Sequence, residues 1–373
     1  MPMQGNEFIQ RFKRYCPEWL AEEGDPVGLH IGTLNKEVKR IMMSLDVRPV
    51  VVEEAIAKKI DLLIVKHPPI FRPISRLTTD EVQTKMYAEL IKHDIAVYAA
   101  HTNMDIIPNG LNDWFCEALD VFDTEYLIQT HTVQMKKLAV YVPQTDAKKM
   151  RLALAKAGAG EQGNYQATSF TVNGTGRFTP NEQAMPTIGS PNVPEQVQES
   201  KVEVIFPETR QSEVIAALLA AHPYEEPAYD IYRLDNLSEK FGIGRVGNLK
   251  EGLSTEDFIA KVKKVFSLEG LRVVYPHAAK ETIKRVAICG GSGEKFYPHA
   301  VAAQADVYIT GDVYYHTAHD MQETGMVVID PGHYIESLCK EKMVALFNQW
   351  KNEEGWDVEI ISSDVSTNPF SFK

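Results

Sequence analysis

The chain has 373 residues, 44% hydrophobic and 24% charged, an ordinary balance for a globular protein with room for two or three domains. Thirty-nine basic and 51 acidic residues give a net charge of −12, which argues against a general nucleic-acid binder. The apolar runs are too short for a membrane span, and MPMQGNEFIQRFKRY has no apolar signal core. Four scattered cysteines (Cys16, Cys116, Cys289, Cys339) form no CxxC pair, so the expected setting is reducing and cytoplasmic.

An amphipathic helix is expected over 7–22, a strand over 38–47 (VKRIMMSLDV) and a helix over 51–60. A buried strand follows at 61–67 (DLLIVKH), then a helix at 80–94, a strand at 95–101 (IAVYAAH) and a helix at 110–121. Strands without polar alternation, separated by helices, predict a mostly parallel sheet covered on both faces. Residues 132–235 break the rhythm. There the patterns run strand (MKKLAVYVP), helix (DAKKMRLALAKAG), a long Gly/Pro/Asn/Thr-rich stretch, strand (KVEVIFPE), helix (RQSEVIAALLAAH) and strand (AYDIYRL). This reads as a ferredoxin-like α+β domain with its own core, inserted into the chain. The first rhythm then resumes with strands KRVAICGG (284–291), ADVYITGD (305–312) and GMVVIDPGH (325–333). A long helix closing at Gly355 and a last strand, WDVEIISSD, complete it.

The outer thirds match at an offset of 245 residues. Lys39-Arg40-Ile41 aligns with Lys284-Arg285-Val286, Ala55 and Ala57 with Ala300 and Ala302, and Asp61 with Asp306. The expected fold is therefore α/β, a duplicated βαβ-type core with mostly parallel sheets, in halves 1–131 and 236–373 around an insertion at 132–235.

Ligands of parallel α/β sheets bind outside the carboxyl ends of the strands. The polar groups gathered there are Lys66-His67-Pro68-Pro69, His101 through Asp105, Thr310-Gly311-Asp312, and Asp330 through Glu336. Glu336 lies three residues after His333, so the two side chains can share a face. Histidines with carboxylates suit zinc, iron or manganese better than magnesium, and more than four ligands would admit two ions.

The motifs KHPPIF, AAHTNMD, ITGDVYYH and VIDPGHYIE, in that order, resemble the NIF-three-like family of dinuclear-metal proteins, whose bacterial members are labelled GTP cyclohydrolase I type 2 homologues. The resemblance covers about 1–130 and 240–373. The middle segment, with NGTGRFTP and AHPYEEPAYDIY, resembles the domain inserted in Gram-positive members, itself similar to CutA and PII-type trimers. The resemblance implies two metals side by side, a toroidal hexamer built from trimers, and the ligands His67, His101, Asp105, His333 and Glu336. One departure stands out: the family has two adjacent histidines before the proline, and this chain has Lys66-His67. An ammonium only donates. Either one metal is weakened or lost, or Lys66 holds an anionic group of the substrate.

The function these features lead to is metal-dependent hydrolysis of an unidentified small molecule, GTP cyclohydrolase-like or phosphoesterase-type. Lys66, Asp312 and His316 would handle protons or substrate charge. The alternative is a non-enzymatic metal carrier or scaffold whose inserted domain senses a ligand or partner. Other motifs are weaker. GIGRVG (242–247) has GxGxxG spacing but lacks the strand before and helix after that a dinucleotide site requires. GGSG (290–293) could offer amides to an anion but reads as a turn, and His222 in HPYEEP reads as a turn residue.

Overall fold

Unbroken apolar strings make the first sheet. Its strands run in the order Glu359–Ser362, Arg40–Ser44, Leu62–Val65, Ala96–Ala99 and Gly28–Ile31. All neighbours are parallel except the edge strand Gly28–Ile31, which is antiparallel to Ala96–Ala99. Ile41 to Met43, Leu62 to Val65 and Ala96 to Ala99 are all buried, because helices cover both faces. The structure, a computed structural model, describes residues 1–278 and 281–373. The chain divides into two units, Met1–Thr130 with Phe241–Lys373, and His131–Lys240.

In the first unit a second set of strands runs Arg272–Val274, Val327–Asp330, Val307–Ile309, Thr282–Ile288 and the later part of Tyr229–Ser254. The middle three are parallel and the outer two antiparallel to them. The local bonding of the two sheets coincides at the 245-residue offset. Ile41 pairs with Leu62 and Val286 with Val307. Asp61 Oδ2 accepts the amides of Lys39 and Arg40 (2.8 and 2.9 Å), and Asp306 Oδ2 those of Lys284 and Arg285 (2.9 and 2.7 Å). Arg40 donates to the Lys58 carbonyl and Arg285 to the Ala303 carbonyl.

In the second unit the antiparallel strands Phe170–Phe178, Glu195–Pro207 and the later part of Val121–Pro143 neighbour one another, with helices Ala147–Lys156 and Gln211–Ala221. These helices and strands share one core, which includes Leu138, Val140, Met150, Val202, Phe206 and Leu218.

Some elements differ from the sequence expectation. The first helix spans only Gly5–Tyr15, then breaks at Cys16 before Pro17 and continues as a short turn, Glu18–Leu20. A residue before proline is pushed out of the α region, which explains the break. The GIGRVG segment lies inside Tyr229–Ser254. Its glycines let two strands close up: a Cβ at Gly242 would sit 2.1 Å from the Ile128 carbonyl oxygen, and Gly244 has φ +66°. The long helix Leu338–Glu354 ends on Gly355, left-handed at φ 66°, as a C-terminal glycine cap should.

Candidate metal centre

The centre lies in the unit made of Met1–Thr130 and Phe241–Lys373, beyond the carboxyl ends of parallel strands. Lys66 and His67 follow Leu62–Val65, His101 follows Ala96–Ala99, Asp312 follows Val307–Ile309, and His333 follows Val327–Asp330. The strands are shorter than their sequence patterns because these polar ends turn out of the ladder. Glu336 sits in the single turn His333–Ser337 that precedes the long helix.

Three donor atoms converge. His67 Nε2 is 2.8 Å from Glu336 Oε2 and 3.3 Å from His333 Nε2, and His333 Nε2 is 3.2 Å from that same oxygen. A tetrahedron around an ion with bonds of about 2.0–2.1 Å has edges of about 3.3 Å, so the triangle has the size of a first-row divalent ion's donor set. These three residues are the group of metal-ligand spacing among the described residues.

The tautomers also fit. His67 Nδ1–H donates to Asp46 Oδ1 (2.7 Å), His333 Nδ1–H to Asp312 Oδ2 (2.6 Å) and His101 Nδ1–H to Asp25 Oδ1 (2.7 Å). A carboxylate only accepts, so each imidazole keeps its Nδ1 proton and Nε2 is the nitrogen left for a cation; without an ion, Nε2 of His67 and of His333 faces Glu336 Oε2 as a donor instead. The three aspartates are themselves held. Asp46 accepts from the Thr367 hydroxyl, Asp312 from Ser292 Oγ, and Asp25 from the amide and hydroxyl of Thr102. Burial is the largest influence in all three and works against ionisation, but the histidine hydrogen bonds together with those from Thr102, Thr367 and Ser292 keep each below the usual carboxylate range. Without an ion, burial would lower His333, yet the hydrogen bond and charge of Glu336, then Asp312, raise it to about 9. Glu336 is buried, which favours its neutral form, but Lys66, His333 and His67 hold it well below its ordinary value.

His101 stands beside the triangle, its ring centre 5.7 Å from that of His67. Asp105 is buried on the short helix Thr102–Ile106, and its Oδ1 has no hydrogen-bond partner among the described residues. Its Oδ2 accepts from Lys66 Nζ at 3.0 Å. Lys66 is 1% exposed, and its ammonium is also 3.9 Å from Glu336 Oε1. Burial disfavours the Lys66 charge, but Asp105 and Glu336 overcome that and raise its pKa. Asp312 is the carboxylate that orients His333. His316 is exposed on the helix Tyr315–Gln322, against the rings of Tyr314 and Tyr315, and no hydrogen bond or ring contact among the described residues joins it to the centre.

Asp25 and Asp46 escaped the sequence reading. Asp46 had a signal, since it follows the strand Arg40–Ser44 just as His67 follows the next. Asp25 had none, because it lies in a loop and reaches His101 only through the fold. The four cysteines are buried, and burial pushes their thiols up, Cys116 to about 12, so they are neutral rather than thiolate ligands. Two of the GGSG amides are taken, Gly290 N–H by Asn112 Oδ1 (3.0 Å) and Gly293 N–H by Thr310 Oγ1 (2.9 Å). His222 accepts from the Tyr224 amide at Nδ1 and donates from Nε2 to the Tyr141 carbonyl, a satisfied turn residue.

Asp46→Asn tests the second layer of this arrangement. An amide can present its NH2 to Nδ1 and invert the tautomer, so metal affinity should fall about 10–100-fold. Competition with a chromogenic chelator measures this, with an unchanged circular dichroism spectrum as the control for folding.

A mixed α/β protein with a histidine–carboxylate group of metal-ligand spacing is the class that this fold and site define. The chain belongs to the Duf34/NIF3 (NGG1p interacting factor 3) family, whose model matches residues 3–369. It is 44% identical over 370 residues to the "GTP cyclohydrolase 1 type 2 homolog" of Bacillus subtilis (strain 168), covering 99% of each chain. A protein of the same name from Staphylococcus aureus (strain COL) is 33% identical over 358 residues, covering 96% of each. Among solved structures, the Bacillus cereus protein related to NIF3 superposes with a TM-score of 0.92 at 41% identity over 100% of both chains. Staphylococcus aureus protein SA1388 does so with a TM-score of 0.76 at 28% identity, over 100% of this chain and 99% of that one. Among the described residues, no helix is long and apolar enough to cross a membrane.

Proposed function

We propose that this chain binds a divalent metal ion through His67, His333 and Glu336 and acts as a metal-dependent hydrolase. The triangle of inward-facing donors carries this reading. An ion held there would supply Lewis acidity and bring the pKa of a water it holds close to neutral. Asp46 and Asp312 hold the Nδ1 protons of the two imidazoles and fix their orientation, so that Nε2 of each is turned to the ion's position. Glu336 brings negative charge to a site it shares with Lys66. His101, its Nδ1 proton held by Asp25, offers an Nε2 lone pair that can take a proton from water or substrate, and Asp105 Oδ1 is a buried acceptor nearby. Both also extend the donor set. The name shared by the relatives supports purine nucleotides as first substrates to try, and phosphoesters suit the same chemistry.

The hydrogen bonds repeated at the 245-residue offset support a duplicated core, with His67 and Asp312 at equivalent strand ends. The unit His131–Lys240, with its own core, is read as the inserted ferredoxin-like domain. The hexamer built from trimers that the resemblance implies belongs to the same proposal.

The test is metal content by inductively coupled plasma mass spectrometry, on protein purified without chelator or affinity tag. Near-stoichiometric zinc, iron or manganese is expected, lost in the His67→Ala/His333→Ala variant. Wild-type protein with no metal, and no uptake on reconstitution, would sink the reading. The retained metal is then used to screen phosphoesters and purine nucleotides for turnover.

A second reading, a non-enzymatic protein whose inserted unit senses a ligand, has one observation in its favour. A cavity of about 600 Å³ in His131–Lys240 is lined by Arg177, Phe178, Glu199 and Tyr224 among others. It predicts ligand binding that survives loss of His67 and His333.

A further inference from the structure

Lys66 is a long cationic side chain with almost no contact with water, at the heart of an acidic centre. Such burial is tolerated only where the charge is matched. Two carboxylates match it, Asp105 Oδ2 at 3.0 Å and Glu336 Oε1 at 3.9 Å. Glu336 is thereby divided. Its Oε2 faces His67 and His333, while its Oε1 faces the ammonium. The carboxylate bridges the position of the ion and the position of the lysine nitrogen.

We infer that the Lys66 ammonium is a built-in second cation of this centre, neutralising Asp105 and Glu336 where another ion would otherwise do so, and that the centre therefore takes one divalent ion per chain. The inference rests on the metal-centre reading above. Three observations support it. First, the donors left over are His101 Nε2 and Asp105 Oδ1, too few to hold a divalent ion beside a fixed positive charge. Second, Lys66 has no accessible face with which to hold a substrate anion, since both carboxylates would have to be displaced. Third, the ammonium donates and cannot ligate, so it fills the space of an ion without contributing to another.

Replacing the lysine by an acceptor should reverse this. Lys66→His removes the charge and adds an imidazole beside His101, Asp105 and Glu336, completing a second donor set. The experiment is native mass spectrometry of metal-free protein titrated with zinc, with atomic metal analysis after desalting. Wild type should saturate at one zinc per chain and Lys66→His at two.

Wild type saturating at two zinc would overturn the inference and leave the metal centre intact. A folded Lys66→His that stops at one would do the same. Wild type with no zinc would overturn both. If Lys66→His does not fold, the pair Lys66→Met/Asp105→Asn, neutral at both positions, takes its place. It should still bind one zinc, because His67, His333 and Glu336 are untouched, and its zinc affinity should stay within about tenfold of wild type. Loss of that zinc would overturn the one-ion assignment.

Discussion

Replacing Arg245 by methionine is expected to lower the free energy of unfolding by roughly 3 kcal/mol, because it takes the donor from a partly buried carboxylate and from three carbonyls. Arg245 is 3% exposed. It donates to Asp113 from Nε (2.6 Å) and Nη2 (2.8 Å), and to the carbonyls of Gly242, Gly244 and Ile107 (3.1, 2.9 and 3.0 Å). Its guanidinium also lies 4.4 Å from the centre of the Tyr126 ring. Methionine can fill the volume but leaves the Asp113 carboxylate and three carbonyls without their donor. Urea denaturation of metal-free protein reads the loss; a change within 1 kcal/mol would show that Asp113 finds water instead. The segment braced by Arg245 carries Asp105 and Asn112, and Asn112 donates to the Asp105 carbonyl while accepting from Gly290. The arginine thus supports the wall of the centre from behind.

The second large effect concerns the Lys66–Asp105 pair. Asp105→Asn should cost about 3 kcal/mol in metal-free protein, because an amide accepts a hydrogen bond but does not neutralise a buried ammonium. Adding Lys66→Met should recover more than half of that, since the charge left unmatched is then gone. A double-mutant cycle in urea, with chelator present to remove metal linkage, isolates the coupling. Independent, additive costs would mean that Glu336 alone suffices to neutralise the lysine.

The readable part of this centre was local. His67, His101 and His333 each end an apolar strand, and an apolar strand closed by an imidazole can be seen in the sequence. The i, i+3 spacing of His333 and Glu336 was visible in the same way. What escaped was set by tertiary contact. Asp25 lies 76 positions from His101, and Asp46 lies 21 from His67. No spacing rule joins either pair, although Asp46 at least stood at a strand end. The environment of Lys66 was equally hidden, since the sequence gives its charge but not its burial. Other misses had signals. Ser254 caps the helix Thr255–Val265 by accepting the Asp257 amide, a pattern visible in the sequence as Ser-x-x-Asp. Those glycines serve strand packing and the Arg245 anchor rather than a nucleotide.

The pairing of Glu359–Ser362 with Arg40–Ser44 has a consequence for synthesis on the ribosome. Ile360 lies beside Ile41, so that flank of the first sheet has no neighbour until Glu359–Ser362 has been made. At about 5–20 residues per second, Arg40–Ser44 waits on the order of tens of seconds with an open apolar edge. His131–Lys240 holds its strands and helices within one continuous stretch and can close during that interval. The nascent chain therefore carries a finished unit before the sheet that bears Lys66 and His67 is complete, and chaperone capture during that wait would fall on Arg40–Ser44.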